Sequence, residues 1–196
     1  MKRIPLTGII LAGGKSSRMG TDKGLLIYQD KPLVQYAIDL LSAFCDRIIL
    51  STGNREYLRF GLEVRSDLFP VEAAIAGIHS CLSISRTSHN IVLSCDMPYV
   101  NGHVVEVILR YAGSFDFVVP ASANGNIEPL CALYHSNMLP LIEKQIQDGH
   151  YRLHDLAGIS NSKIIPLEEF GGESHMYFRN LNEPKDLIQD EHPSEV

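Results

Sequence analysis

Long hydrophobic runs, paired cysteines, repeats and low-complexity tracts are all missing from this 196-residue sequence. Each absence removes a class of protein. The apolar stretch near the N-terminus is broken by Gly13-Gly14, well short of the ~20 residues that a membrane span needs. It also lacks a cleavage site for a secretory signal, so the expectation is a cytoplasmic protein with no membrane partner. The four cysteines, Cys45, Cys81, Cys95 and Cys131, are far apart and form no C-x-x-C pair. That argues against a zinc framework or a dithiol redox centre. Cys95 ends an apolar run and reads as a small buried residue. His150 and His154 share one face at helical spacing, but Tyr151 stands where an H-E-x-x-H site needs Glu. No Ser-His-Asp or Cys-His arrangement follows from spacing.

What is present is an uneven charge. The chain carries a formal net charge of −6, yet residues 1–35 hold six Lys or Arg against two Asp. A basic N-terminal segment on an acidic protein points to a local anion site and away from a nucleic-acid surface. The length and the 45% hydrophobic content favour one domain with a sizeable core. Its expected extent is residues 1–190, with 191–196 as a flexible tail.

The basic segment centres on residues 9–23, Ile-Ile-Leu-Ala-Gly-Gly-Lys-Ser-Ser-Arg-Met-Gly-Thr-Asp-Lys. An apolar run stops at two glycines and a loop of small and basic residues follows. Such a loop lets backbone N–H groups approach a phosphate, with Lys15, Arg18 and Lys23 as cations. Two common phosphate loops do not fit. Gly14-Lys15-Ser16 would be the end of a P-loop, but its first glycine would have to replace Ile9. G-x-G-x-x-G is absent, because Gly13 and Gly14 are adjacent and Gly20 is too distant.

Short β-rich runs alternate with helical patterns along the chain. Strands are expected over Leu6–Ala12, Arg47–Thr52, Asn90–Cys95, Asp116–Pro120, Glu128–His135, Lys163–Leu167 and Met176–Phe178. Helices are expected from Pro32, with Leu33, Ala37, Leu41 and Phe44 on one face, and over Glu72–Ser83, His103–Tyr111, Met138–Gln147, Arg152–Ala157 and Glu183–Gln189. This alternation predicts an α/β fold of three layers, α/β/α and Rossmann-like, around a mainly parallel sheet. Right-handed crossovers would bring the Gly13–Lys23 loop, Asn54 and Asp96 to one sheet edge, the carboxyl edge where open α/β sheets bind ligands.

Asp96 follows an apolar strand directly and is the best metal candidate. Mg²⁺ takes one or two protein carboxylates and fills its other positions with water and phosphate oxygens. Lys23 and Arg18 are placed to neutralise a triphosphate or a leaving pyrophosphate.

Leu11-Ala12-Gly13-Gly14, Ser16 or Ser17, Arg18-Met19-Gly20 and Lys23 resemble the nucleotidyltransferase signature L-A-G-G-x-S-x-R-M-G-x-x-K. Later segments narrow the resemblance. Thr21–Leu26, Asn54, Asp67, Ala76-Gly77-Ile78 and Ser94–Pro98 occur in the order seen in molybdenum cofactor guanylyltransferases, the MobA-like nucleotidyltransferases. Glu128–Tyr134, Arg152-Leu153 and Asn180–Leu187 resemble that family's later motifs, so the similarity spans the chain.

The resemblance implies Mg²⁺-dependent transfer of GMP from GTP to the phosphate of molybdenum-molybdopterin, with pyrophosphate released. It implies nucleotide contacts at Leu11, Ala12, Gly13, Gly14, Lys23, Asn54, Asp67 and Asp96, and catalytic roles for Lys23, Arg18 and Asp96. Asp96 would hold the metal, and Arg152, Asn180 and Asn182 would face the pterin. Proteins of cofactor biosynthesis and molybdoenzyme maturation are the implied protein partners. One motif departs: Ala73-Ala74-Ile75-Ala76-Gly77 stands where the family commonly has Gly-Pro-Leu-x-Gly, and Ala-Ala favours helix. A molybdopterin cytidylyltransferase or other NTP transferase, and a nucleotide-binding regulator without catalysis, are the alternatives.

Overall fold

A computed structural model describes residues 4–13, 22–122, 125–172 and 174–181. The elements run β1 (Leu6–Leu11), β2 (Ile27–Tyr28), β3 (Lys31–Pro32), α1 (Leu33–Ser42), β4 (Arg47–Ser51), β5 (Glu63–Arg65), α2 (Ala74–Leu82), β6 (His89–Ser94), α3 (Gly102–Leu109), β7 (Phe117–Pro120), β8 (Cys131–His135), α4 (Leu139–Gln147), α5 (Leu156–Ile159), β9 (Ser162–Ile165) and α6 (Ser174–Tyr177). Seven strands form one sheet in the order β5-β4-β1-β6-β8-β7-β9, and β2 with β3 makes a separate hairpin.

The central strands are apolar on both faces, as a sheet covered on both sides requires. Leu6 and Ile10 of β1, Ile48 and Leu50 of β4, and Ile91 and Leu93 of β6 pack on one face against α1 and α3. Ile9, Ile49 and Val92, the alternate residues, pack on the other against α2 and α4. The result is the expected three-layer α/β/α arrangement.

The sheet is mostly parallel but mixed. β8 runs antiparallel to both of its neighbours, β6 and β7. Within the expected strand 128–135 only Cys131–His135 is extended and paired. The expected strand at Met176–Phe178 is instead helical, α6. Phe178 is buried there edge-on against Phe170, with ring centroids 5.4 Å apart, so side-chain packing and not strand pairing covers this aromatic run. The α2 helix starts at Ala74 and not at Glu72, because Ala73 is extended, with φ −147° and ψ 145°. The expected closing helix 183–189 and the tail 191–196 lie outside the described residues. No helix among the described residues is long and apolar enough to cross a membrane.

Candidate active site

Parallel pairing of β1 with β4 and β6 brings three carboxyl ends together. The backbone fixes how the loops leave that edge. Ala12 N–H donates to Ser51 O at 3.0 Å, and Cys95 N–H to Leu11 O at 3.1 Å. Leu181 N–H donates to Asp96 O at 3.0 Å, so the last described segment closes onto the same edge.

A cavity of about 800 Å³ opens there, with Leu11, Gly13, Thr52, Asp67, Val71 and Gly77 among its walls. That is ample for a nucleotide. Gly77 is required by close approach: a Cβ would run into Ser51 Oγ and reach Asp67 Oδ1 and Leu11 Cδ2 at 3.4 Å. Burial by the surrounding wall pushes the Asp67 carboxyl above its ordinary pKa. Ala73 is extended and α2 begins only at Ala74, so the wall from Phe69 to Ala73 precedes the helix despite the Ala-Ala pair, while Ala74 and Gly77 add the first turn of α2 to it.

At the same carboxyl edge but outside the cavity lining, Lys23 Nζ lies 2.6 Å from Asp96 Oδ2, and both side chains are 17% exposed. Asp96 Oδ1 is buried and has no hydrogen-bond partner among the described residues. Lys23 begins a single tight turn, Lys23–Leu25, capped by Asp22 through Gly24 N–H. Asp22 Oδ2 also accepts from Asn54 Nδ2 at 3.0 Å, and Asp22 Oδ1 from the Tyr57 hydroxyl at 2.5 Å.

The residues singled out from sequence therefore divide. Leu11, Gly13 and Asp67 line the cavity, while Ala12 is buried against the α1 face of the sheet. Lys23 and Asp96 meet directly. Asn54 stands beyond the wall, its amide committed to Asp22 and to Glu56 N–H. Asn180 is joined to the Asp96 backbone through its neighbour Leu181, and its own Oδ1 is buried without a partner among the described residues. Arg152 is exposed at the start of the short turn Leu153–Asp155 that leads into α5. Gly14, Arg18 and Asn182 lie outside the described residues. His150 and His154 are both exposed, and no group of three or more His, Cys, Asp or Glu among the described residues is arranged to hold a metal ion. Sequence reasoning missed Tyr57; the signal available was a large aromatic three residues after Asn54.

The MobA-like NTP transferase domain matches residues 8–160. The chain belongs to this family. It is a nucleotidyltransferase. A protein from Flavobacterium johnsoniae named probable molybdenum cofactor guanylyltransferase is 32% identical over 183 residues, covering 93% of this chain and 94% of that one. A protein of the same name from Clostridium perfringens is 30% identical over 194 residues, covering 95% and 98%. Among solved structures, molybdopterin-guanine dinucleotide biosynthesis protein A from Archaeoglobus fulgidus superposes with a TM-score of 0.78 at 24% identity, covering 93% of this chain and 95% of that one. The 4-diphosphocytidyl-2C-methyl-D-erythritol synthase of Anaerococcus prevotii shares the fold at a TM-score of 0.70 with 10% identity, covering 96% and 97%. Proteins of different names thus share this fold, and the fold alone does not choose among functions.

Proposed function

We propose that this MobA-like transferase moves GMP from GTP to the terminal phosphate of molybdenum-molybdopterin. The observation that carries the reading is the Lys23–Asp96 pair at the carboxyl edge, in a chain whose nearly full-length relatives bear the guanylyltransferase name. A phosphate oxygen of the acceptor attacks the α-phosphorus of GTP. A new P–O bond forms, the bond from the α-phosphorus to its bridging oxygen breaks, and pyrophosphate leaves with that electron pair. The nucleophile arrives as an anion, so no strong general base is needed. Alignment and charge neutralisation are what the protein must supply.

In this reading Gly13 and Gly14, with Leu11 and Ala12 behind them, approach the triphosphate by backbone. Lys23 and Arg18 neutralise its developing charge. Asp67 on the cavity wall is an acceptor suited to the N1–H and N2–H donors of guanine or to a ribose hydroxyl. Asn180, with its unpartnered buried oxygen, and Arg152 and Asn182 serve the pterin phosphate side. The donor set fits a magnesium ion shared with substrate. Asp96 supplies one hard oxygen that lacks a partner, and Mg²⁺ needs few protein ligands when phosphates provide the rest. Held by Asp96, Mg²⁺ would withdraw charge from the triphosphate oxygens.

Pyrophosphate release, measured with molybdenum-molybdopterin and either GTP or CTP, tests this. Turnover that is selective for GTP is the expected result. Preference for CTP would reassign the enzyme as a cytidylyltransferase, and nucleotide binding without release would make it a binding protein.

A further inference from the structure

A three-residue turn is too short to fix a lysine by itself, yet Lys23 is aimed at Asp96 from 73 residues away in sequence. The turn is held from outside. Asp22 Oδ1 accepts Gly24 N–H at 3.2 Å and the Tyr57 hydroxyl at 2.5 Å, while Asp22 Oδ2 accepts Asn54 Nδ2 at 3.0 Å. Tyr57 has no exposed surface, and its ring packs in the core on the α1 and α3 side of the sheet. It is therefore a fixed post and not a surface side chain that happens to reach Asp22. Burial and the Asp22 hydrogen bond both push its phenol pKa far upward, so it stays a donor at any working pH.

The turn is also wedged. A Cβ on Gly24 would run into the Tyr57 hydroxyl and come within 3.1 Å of Cys95 Sγ. Cys95 directly precedes Asp96. Tyr57 thus presses the Lys23 turn against the segment that carries Asp96. Asn54 completes the arrangement from within: its Oδ1 accepts Glu56 N–H at 3.0 Å and its Nδ2 points at Asp22.

We propose that Asp22, Tyr57 and Asn54 form a clamp that sets the Lys23 ammonium on Asp96 during phosphoryl transfer. The proposal rests on the transferase reading above. All three are positioning residues: they act through Lys23 and touch no reacting atom. Asn54, on this account, serves the nucleotide through Asp22 and not by direct contact.

Two variant sets test the clamp. Tyr57→Phe keeps the ring and removes one hydrogen bond. It is expected to lower kcat for GMP transfer about tenfold, with KM for the acceptor within about twofold, because misplacing a charge stabiliser is felt mainly in the transition state. In a Lys23→Ala background the same substitution should change kcat by less than about twofold, since the clamp then has nothing to position. An equal loss in both backgrounds would mean that Tyr57 acts structurally, and would overturn the proposal. Asp22→Asn sets a new amide donor against the amide donor of Asn54, since the remaining oxygen still has to accept from Gly24 N–H and the Tyr57 hydroxyl. The double exchange Asp22→Asn with Asn54→Asp restores a donor and acceptor at equal net charge. Recovery of most of the lost kcat is expected, and no recovery would also sink the clamp. Thermal melts establish that each variant is folded. Wild-type enzyme lacking GMP transfer would refute the reaction itself, whereas active wild type with unaffected Tyr57→Phe refutes the clamp alone.

Discussion

The Lys23 ammonium sits 2.6 Å from Asp96 Oδ2, while Asp96 Oδ1 is buried and has no partner among the described residues. One carboxylate thus meets a cation with one oxygen and keeps the other for the magnesium ion proposed above. Removing the carboxylate would forfeit both uses and leave a partly buried lysine without this partner. Asp96→Ala is therefore expected to cut turnover by at least ~10²-fold, the scale for losing one transition-state charge stabiliser. Circular dichroism should still report a folded protein. Turnover near that of wild type would remove Asp96 from the mechanism.

Gly77 faces a different constraint. In a helix interior Ala is better than Gly by about 1 kcal/mol, so Gly77→Ala would stabilise α2 if space allowed. The added Cβ would instead collide with buried Ser51 Oγ and press on Asp67 and Leu11. Overpacking of this kind costs about 1–3 kcal/mol. The clash wins, and denaturant unfolding should show a net loss of roughly 1 kcal/mol. GTP affinity should fall with it, because the displaced residues line the cavity. A stabilised variant with unchanged affinity would show that the wall yields without cost.

Much of the sheet was legible because β1, β4 and β6 are apolar on both faces, bounded by Gly, Asn or Asp, and separated by helical periods. The direction of β8 was not, since a two-residue alternation reads the same in parallel and antiparallel strands. Edge strand β5 is three residues long with two of them charged, Glu63-Val64-Arg65, and left no pattern to read. The Met176–Phe178 run was misleading because its aromatic residues fit a strand equally well, and only tertiary packing on Phe170 decides otherwise. In the site, Lys23 and Asp96 were readable from their places after a glycine loop and a strand. Tyr57 was not, because a buried aromatic in a short turn looks like core until its hydroxyl is seen on Asp22.

All four cysteines are buried, none more than 8% exposed, and all are reduced thiols outside any disulfide. Burial pushes the Cys81 thiol up to about 12, and those of Cys95 and Cys131 upward as well. Reaction with an aromatic disulfide reagent requires an accessible thiolate. The native protein should therefore show no fast-reacting thiol at pH 8, and four equivalents after denaturation. A fast equivalent in the native state would locate a mobile segment over one of these residues.

Two imidazoles, His79 buried and His89 half-buried, set an acid limit on stability. His79 is 6% exposed, with Nδ1 unpartnered, and burial holds its pKa below the ordinary value against the opposing pull of Glu143. His89 is lowered first by burial and then by the neighbouring His135, whose ring stands edge-on with centroids 5.0 Å apart. His135 in turn faces Asp116, at 3.6 Å. On acidification the unfolded chain takes up these protons from about pH 6.5, while the native state resists until lower pH. The unfolded state then binds more protons, so stability falls as pH falls through this window and levels off below the native values. Above the ordinary histidine pKa the contribution is fully present. The melting temperature should be flat between pH 7 and 8 as far as these two groups are concerned, and decline below about pH 6.5, each histidine adding at most ~1.4 kcal/mol per pH unit. His79→Leu keeps an apolar side chain at the site and removes the proton. It should flatten part of the acid slope, and an unchanged slope would assign the acid sensitivity to other groups.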